Sequence, residues 1–182
     1  MTLKQIIEKR RSVRKFKDEK IQEDLVNELI DAARLAPSAC NAQPTRFILI
    51  QDNKTKELLK ENNIFRQAFV YDAPLIIVCL GDASVFPNET LKKHYGSFDK
   101  EVLGDVGAIR DVAIATQNLV LMAIELGLGT CYIGLVDRKK IKEILEIPKN
   151  YVLPFVIVAG YPDESPKASA RKSTKEIIIK KL

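Results

Sequence analysis

Arg10-Arg11-Ser12-Val13-Arg14-Lys15-Phe16 crowds four cations and a hydroxyl into seven residues, ahead of any core strand. Like charges at this spacing repel, and an anion bound among them would relieve the repulsion. Phosphate suits the residue types, because guanidinium groups grip its oxygens bidentately through charge-assisted hydrogen bonds. A solvated basic turn at a helix end accounts for the same residues, since charge runs usually lie on surfaces. The stretch by itself leaves both readings open. Just upstream, Thr2 and Gln5 have capping-box spacing, and Leu3, Ile6 and Ile7 give the following short helix an apolar side. The cluster therefore follows a helix C-terminus, where cations are favoured in any case.

Working outward, Leu25, Val26, Leu29, Ile30, Ala32 and Ala33 recur at helical spacing over 22–36, and Pro37 marks the stop. Pro37-Ser38-Ala39-Cys40-Asn41-Ala42-Gln43-Pro44 is a loop of small and amide residues closed by proline at both ends. Its neutral donors and acceptors suit the polar edge of a heterocycle or a polyhydroxy chain, and suit equally a polar turn into a strand over 47–50. Asp52 or Asn53 caps a helix over 54–61, and a short helix is expected over 65–71. The apolar run 75–80, bounded by Pro74 and Gly81, reads as a central strand. Residues 82–104, with Pro87, His94 and Gly96, have no clean period and read as an irregular or partly helical excursion at the surface, a kind of segment that often forms a lid over a site.

Asp105 is placed as the cap of the longest helix, 106–126, about 30 Å long. Its alanines and aliphatics run nearly all round, so it is expected to be central, almost fully buried and part of a subunit interface. Gly127-Leu128-Gly129-Thr130-Cys131-Tyr132-Ile133-Gly134 follows. The dinucleotide glycine fingerprint is rejected for it, because the third glycine is misplaced and a helix, not a strand, precedes it. Gly127 is a left-handed cap and 130–133 a short strand. Asp137 caps a helix through Ile144 and Leu145, 152–159 is another apolar strand, and the basic tail carries Arg171 and Lys172 before Ile177-Ile178-Ile179, which needs a packing partner.

The chain of 182 residues suits one core, and a single domain over 1–182 is expected. Its 46% apolar and 29% charged residues exclude disorder. The net charge of +5 is dispersed, with lysines interleaved with glutamates, which argues against nucleic acid as a partner. The first twenty residues are too charged for a signal peptide and no apolar run approaches the ~18 residues of a membrane span, so a cytoplasmic protein with no membrane partner is expected. Cys40, Cys79 and Cys131 form no CxxC pair and read as small buried residues, and His94 has no partner histidine, so no metal site is expected. With few groups able to make or break bonds, an enzyme built on this chain needs a cofactor to carry the chemistry.

The cluster at 10–16, the Pro-Ser-x-x-Asn-x-Gln-Pro loop, the alanine-rich helix, the Gly-Leu-Gly-Thr-Cys-Tyr-Ile-Gly turn and Arg171-Lys172, in this order and spacing, resemble the FMN-dependent nitroreductase family over essentially the whole chain. The resemblance implies an α+β fold, a three-layer α/β/α sandwich around a mixed, mainly antiparallel sheet, built as an intertwined homodimer with FMN at each interface site. It places Arg10, Arg11 and Ser12 on the phosphate and ribityl chain, with Arg171 and Lys172 completing the phosphate site. Ser38 and Asn41 would reach the flavin of the other subunit, with Gln43 supporting their loop. Backbone at Ile133 and Gly134 would lie beside flavin N5, and the pyrimidine edge is left to Arg14, Arg66 or Gln67. The implied activity is an NAD(P)H oxidoreductase, using NADH or NADPH and passing electrons through FMN, by a ping-pong cycle, to a small-molecule acceptor such as a nitroaromatic or quinone. A specialised flavin enzyme of the same family, a reductive dehalogenase or flavin-fragmenting enzyme, is the alternative. A non-enzymatic module binding phosphate ligands or nucleic acid stands further off.

Overall fold

β2 (Leu75–Asp82) is buried at every residue, and the reason is visible on both sides of it. A sheet covered on both faces needs unbroken apolar strands in place of alternation, and 75–80 supplies one. The computed structural model describes residues 1–86 and 104–182, so most of the excursion expected over 82–104, His94 included, lies outside the described residues. Within them the chain runs α1 (Leu3–Lys9), α2 (Glu23–Arg34), β1 (Thr45–Ile50), α3 (Asn53–Glu61), β2, α4 (Asp105–Glu125), β3 (Gly129–Ile133), α5 (Arg138–Ile144), β4 (Tyr151–Gly160) and α6 (Thr174–Ile177). The sheet order is β1-β2-β4-β3, with all three pairings antiparallel. Among the described residues the parallel component is the isolated bridge Ser12–Thr130 at the β3 edge.

Alternate residues of β2 enter two cores. Ile76, Val78 and Leu80 pack with Leu59 of α3 and Ile141 of α5 on one face. Leu75, Ile77 and Cys79 pack with Val26, Leu29 and Ala33 of α2 and with Val112, Leu119 and Val120 of α4 on the other. The result is the three-layer α+β arrangement.

Local signals are realised as chemistry. Thr2 and Gln5 form a full capping box, the Asp52 carboxylate accepts the Thr55 N–H at 2.7 Å, and Asp137 accepts that of Lys140 at 3.1 Å. Gly127 takes φ 75° after α4, the left-handed cap expected of it.

Other expectations need correction. Asp105 is the first residue of α4 and not its cap; Gly104, at φ 84°, precedes the helix, and the acid still sits where the helix dipole favours it. α4 is not almost fully buried: Val106, Ile109 and Ile114 are 56%, 40% and 40% exposed, because α2 and the sheet cover only one side of it. With 21 residues α4 is also long and apolar enough to cross a membrane by composition, contrary to the expectation that no run would be; 56% of its apolar window is buried inside the protein. The turn over 65–71 is a single 3-10 turn, Ala68–Val70. Cys40 is exposed, while Cys79 and Cys131 are buried. Ile177, Ile178 and Ile179 are exposed and join no hydrophobic cluster among the described residues.

Candidate functional site

The cationic stretch lies along the outer edge of the sheet. Val13 donates its N–H to Thr130 O at 2.9 Å, Lys17 donates to Tyr161 O at 2.9 Å, and Asp163 donates to Lys15 O at 2.9 Å, so 12–17 is stitched to β3 and to the exit of β4. Two glycines make room for it. A Cβ on Gly129 would stand 2.7 Å from Val13 Cγ2, and one on Gly160 would stand 2.9 Å from Phe16 Cδ1. Glu164, which the sequence reading passed over, accepts the backbone N–H of both Arg14 and Lys15 on one carboxylate oxygen.

The four cations divide. Lys15 Nζ pairs with Asp163 at 2.6 Å, which raises the lysine and lowers the carboxylate through their shared hydrogen bond. Arg11 turns back and donates to Glu8 O and Arg10 O, each at 2.7 Å, closing α1; this is the helix-end role left open above. Arg10 and Arg14 make no ion pair among the described residues. Half-buried Arg10 also has no side-chain hydrogen bond there, while Arg14 reaches only Ser12 O at 3.4 Å. Ser12 bridges to Thr130, next to Cys131 of β3, and both guanidiniums lie within electrostatic reach of that thiol. Burial pushes that thiol up, and Arg14, the Ser12 hydrogen bond and Arg10 pull it back. The structure thus brings Arg10, Ser12 and Arg14 together and turns Arg11 away.

At the far end of β3, Gly134 and Leu135 leave the sheet with neither N–H bonded among the described residues. Among the described residues, apart from its two chain neighbours, no heavy atom lies within 4 Å of the place where a Gly134 Cβ would stand. Arg138, another residue that sequence reasoning missed, donates to Gly134 O at 3.2 Å, Leu153 O at 2.9 Å and Pro154 O at 2.7 Å, clamping the end of β3 to β4. The bridge Phe65–Val136 brings the 65–70 turn to the same end. There Gln67 buries its Oε1 with no hydrogen-bond partner, and a buried amide oxygen left without a donor is costly. Arg66 beside it is exposed.

The Pro37–Pro44 loop stands elsewhere. It leads into β1, the opposite edge of the sheet from β3, three inter-strand steps or about 14 Å away. Ser38 Oγ accepts the Gln43 N–H at 2.9 Å and Gln43 Nε2 donates to Asn41 O at 3.2 Å, so Gln43 closes the loop on itself. Arg171 and Lys172 are exposed on the tail; Arg171 reaches only Ser169 O and Ala170 O. Among the described residues of one chain, no hydrogen bond or ion pair joins the loop or the tail to Arg10.

Arg10 and Arg14, which make no ion pair among the described residues, the Ser12 hydroxyl and the two unbonded N–H groups are donors that could hold an anionic, polar heterocyclic ligand such as a flavin nucleotide. The comparisons with known proteins bear on it. A family model described as the Nitroreductase family matches residues 7–161. The chain is 35% identical over 171 residues to a Methanothermobacter thermautotrophicus protein named as an NADH dehydrogenase/NAD(P)H nitroreductase, covering 91% of this chain and 80% of that one. A solved nitroreductase family protein from Streptococcus pneumoniae superposes with TM-score 0.84 at 25% identity, covering 99% of this chain and 100% of that one. A nitroreductase from Desulfovibrio desulfuricans, solved in complex with FMN, superposes with TM-score 0.83 at 25% identity over 100% and 98% of the two chains.

Proposed function

The chain belongs to the nitroreductase family, and from that premise we propose that it is an FMN-dependent NAD(P)H oxidoreductase acting as a homodimer. When bound, FMN would supply the redox chemistry, taking hydride from NADH or NADPH and, in a separate half-reaction, reducing an electron-poor acceptor such as a nitroaromatic or quinone. The residues present fit it. Arg10 and Ser12 hold the phosphate end, where a dianion neutralises a half-buried guanidinium that has no other counter-charge among the described residues. Arg14 would stabilise negative charge that develops on a reduced ring. The N–H of Gly134 donates toward the reactive edge, with Arg138 holding the carbonyl of the same residue.

Ser38 and Asn41 contact the flavin seated on the partner, which the separation of the β1 and β3 edges favours. Arg171 and Lys172 complete the phosphate site by way of the tail. The observation that carries the reading is the unneutralised Arg10 beside Arg14 and Ser12. A visible spectrum of the purified protein tests it: flavin bands that bleach on adding NADH or NADPH are expected, and protein that stays colourless after reconstitution with FMN overturns the reading.

A further inference from the structure

The Pro37–Pro44 loop holds three non-glycine residues in the left-handed region within four positions: Cys40 at φ 52°, Asn41 at φ 54° and Gln43 at φ 49°. Asparagine tolerates that region, but cysteine and glutamine are disfavoured there because Cβ crowds the backbone. Such strain persists only where the surroundings over-determine it. Most of what holds the loop is internal to it or to the strand it feeds. Ser38 Oγ accepts the Gln43 N–H, Asn41 and Ala42 donate back to Ser38 O and Ala39 O, and Arg46 Nη1 donates to Gln43 O at 2.8 Å. At the downstream end Asp82 N donates to Pro44 O at 2.9 Å, which extends the β1–β2 pairing.

Ala39 and Ala42 of the strained turn pack against Phe86 and Ala108, and among the described residues the turn has one further hydrogen-bonded anchor. Asp111 of α4, 2% exposed, accepts the Ala39 N–H on Oδ2 at 2.9 Å from 72 residues away, while its Oδ1 accepts from Arg110 Nε at 3.0 Å. It is the acid of a buried helix face that is otherwise apolar except for Thr116, it is balanced by its neighbour, and it lines a cavity of about 220 Å³ together with Ser38 and Gln43. Because Ser38 Oγ spends an acceptor position on Gln43, its own hydrogen remains free to donate outward.

We propose that Asp111 is a positioning residue: by holding the Ala39 N–H it fixes the left-handed turn that presents Ser38 and Asn41 to the flavin. The proposal rests on the flavin reading above. Three variants of the full-length protein test it, with amide hydrogen exchange over 39–43 and FMN titration as readouts. In Asp111→Ala, exchange over 39–43 rises tenfold or more while β2 and β4 stay protected, and the Kd for FMN rises at least tenfold. Asp111→Asn keeps an oxygen for the Ala39 N–H and recovers most of both. Ala39→Pro removes the same hydrogen bond from the loop side without touching α4, and Ser38, at φ −138° and ψ 156°, already has the backbone that a following proline requires. It therefore reproduces the loss even if Asp111→Ala folds poorly. Unchanged loop exchange in both Asp111→Ala and Ala39→Pro, or a loosened loop with wild-type FMN affinity, overturns the positioning role alone. Wild-type protein that takes up no FMN overturns the flavin reading and the positioning role with it.

Discussion

Arg10 and Arg11 are neighbours in the chain whose guanidiniums leave in different directions, one toward β3 and one back onto the carbonyls that end α1. Their substitutions are therefore expected to separate. Loss of a charge-assisted contact to phosphate is worth about 1.5–3 kcal/mol, so Arg10→Ala should weaken FMN binding roughly ten- to a hundredfold, and Arg11→Ala less than about threefold. Equal losses in a flavin titration would contradict the division. Arg14→Ala should lower the flavin reduction potential, since its cation favours the reduced ring; an unchanged potential would remove it from the ring. A third residue governs acid behaviour. The Ser84 hydroxyl, bonding at 2.5 Å, holds the Asp82 carboxyl below its ordinary value, with the Ser84 N–H and Asn150 adding to it. That contribution is complete above the unfolded value of about 3.9 and fades as pH falls through the lower folded value. Asp82→Asn should thus narrow the difference between denaturation midpoints at neutral and strongly acidic pH, and a difference equal to wild type would count against it.

At the scale of elements, what holds the cationic stretch is its fit over glycine. A methyl group on Gly129 meets Val13 at 2.7 Å, and Val13 is the buried residue between Ser12 and Arg14. Overpacking of this kind costs about 1–3 kcal/mol. Gly129→Ala should lower the melting temperature and release FMN together, because the displaced segment carries Arg10 and Arg14. A variant that melts early yet retains FMN with wild-type affinity would show that the stretch holds its ligand without that packing. α4 makes a different point about elements. Its sequence is apolar nearly all round, yet among the described residues it is buried on the side that meets α1, α2 and the sheet and leaves Val106, Ile109 and Ile114 exposed.

At the scale of the whole molecule, the uncovered residues of α4 and of the tail point the same way. Val106, Ile109, Ile114 and Ile177–Ile179 are exposed large aliphatics, and contiguous exposed apolar surface marks association sites. If the proposed dimer forms over this surface, Ile109→Glu should shift the protein from dimer to monomer in light scattering after size exclusion, and should weaken FMN retention because Ser38 and Asn41 would then lose the partner's site. Wild-type protein that is monomeric with FMN firmly bound would overturn the shared-site arrangement.

Read alone, the sequence determined the elements and their ends: the Thr2 box, the Asp52 and Asp137 caps, the Gly127 turn and the apolar strands 75–80 and 152–159. Each depends on residues within a few positions of one another, or on a period of two or 3.6. The five motifs in order were enough for the family. Only the tertiary structure decided which of the four cations remain free, that Glu164 holds Arg14 across 150 residues, that Asp111 holds Ala39 across 72, and that the loop and the arginines stand on opposite edges. Those contacts join residues with no local relation. They exist because the strand order β1-β2-β4-β3 brings some distant segments together and keeps others apart, which no neighbour-to-neighbour preference encodes.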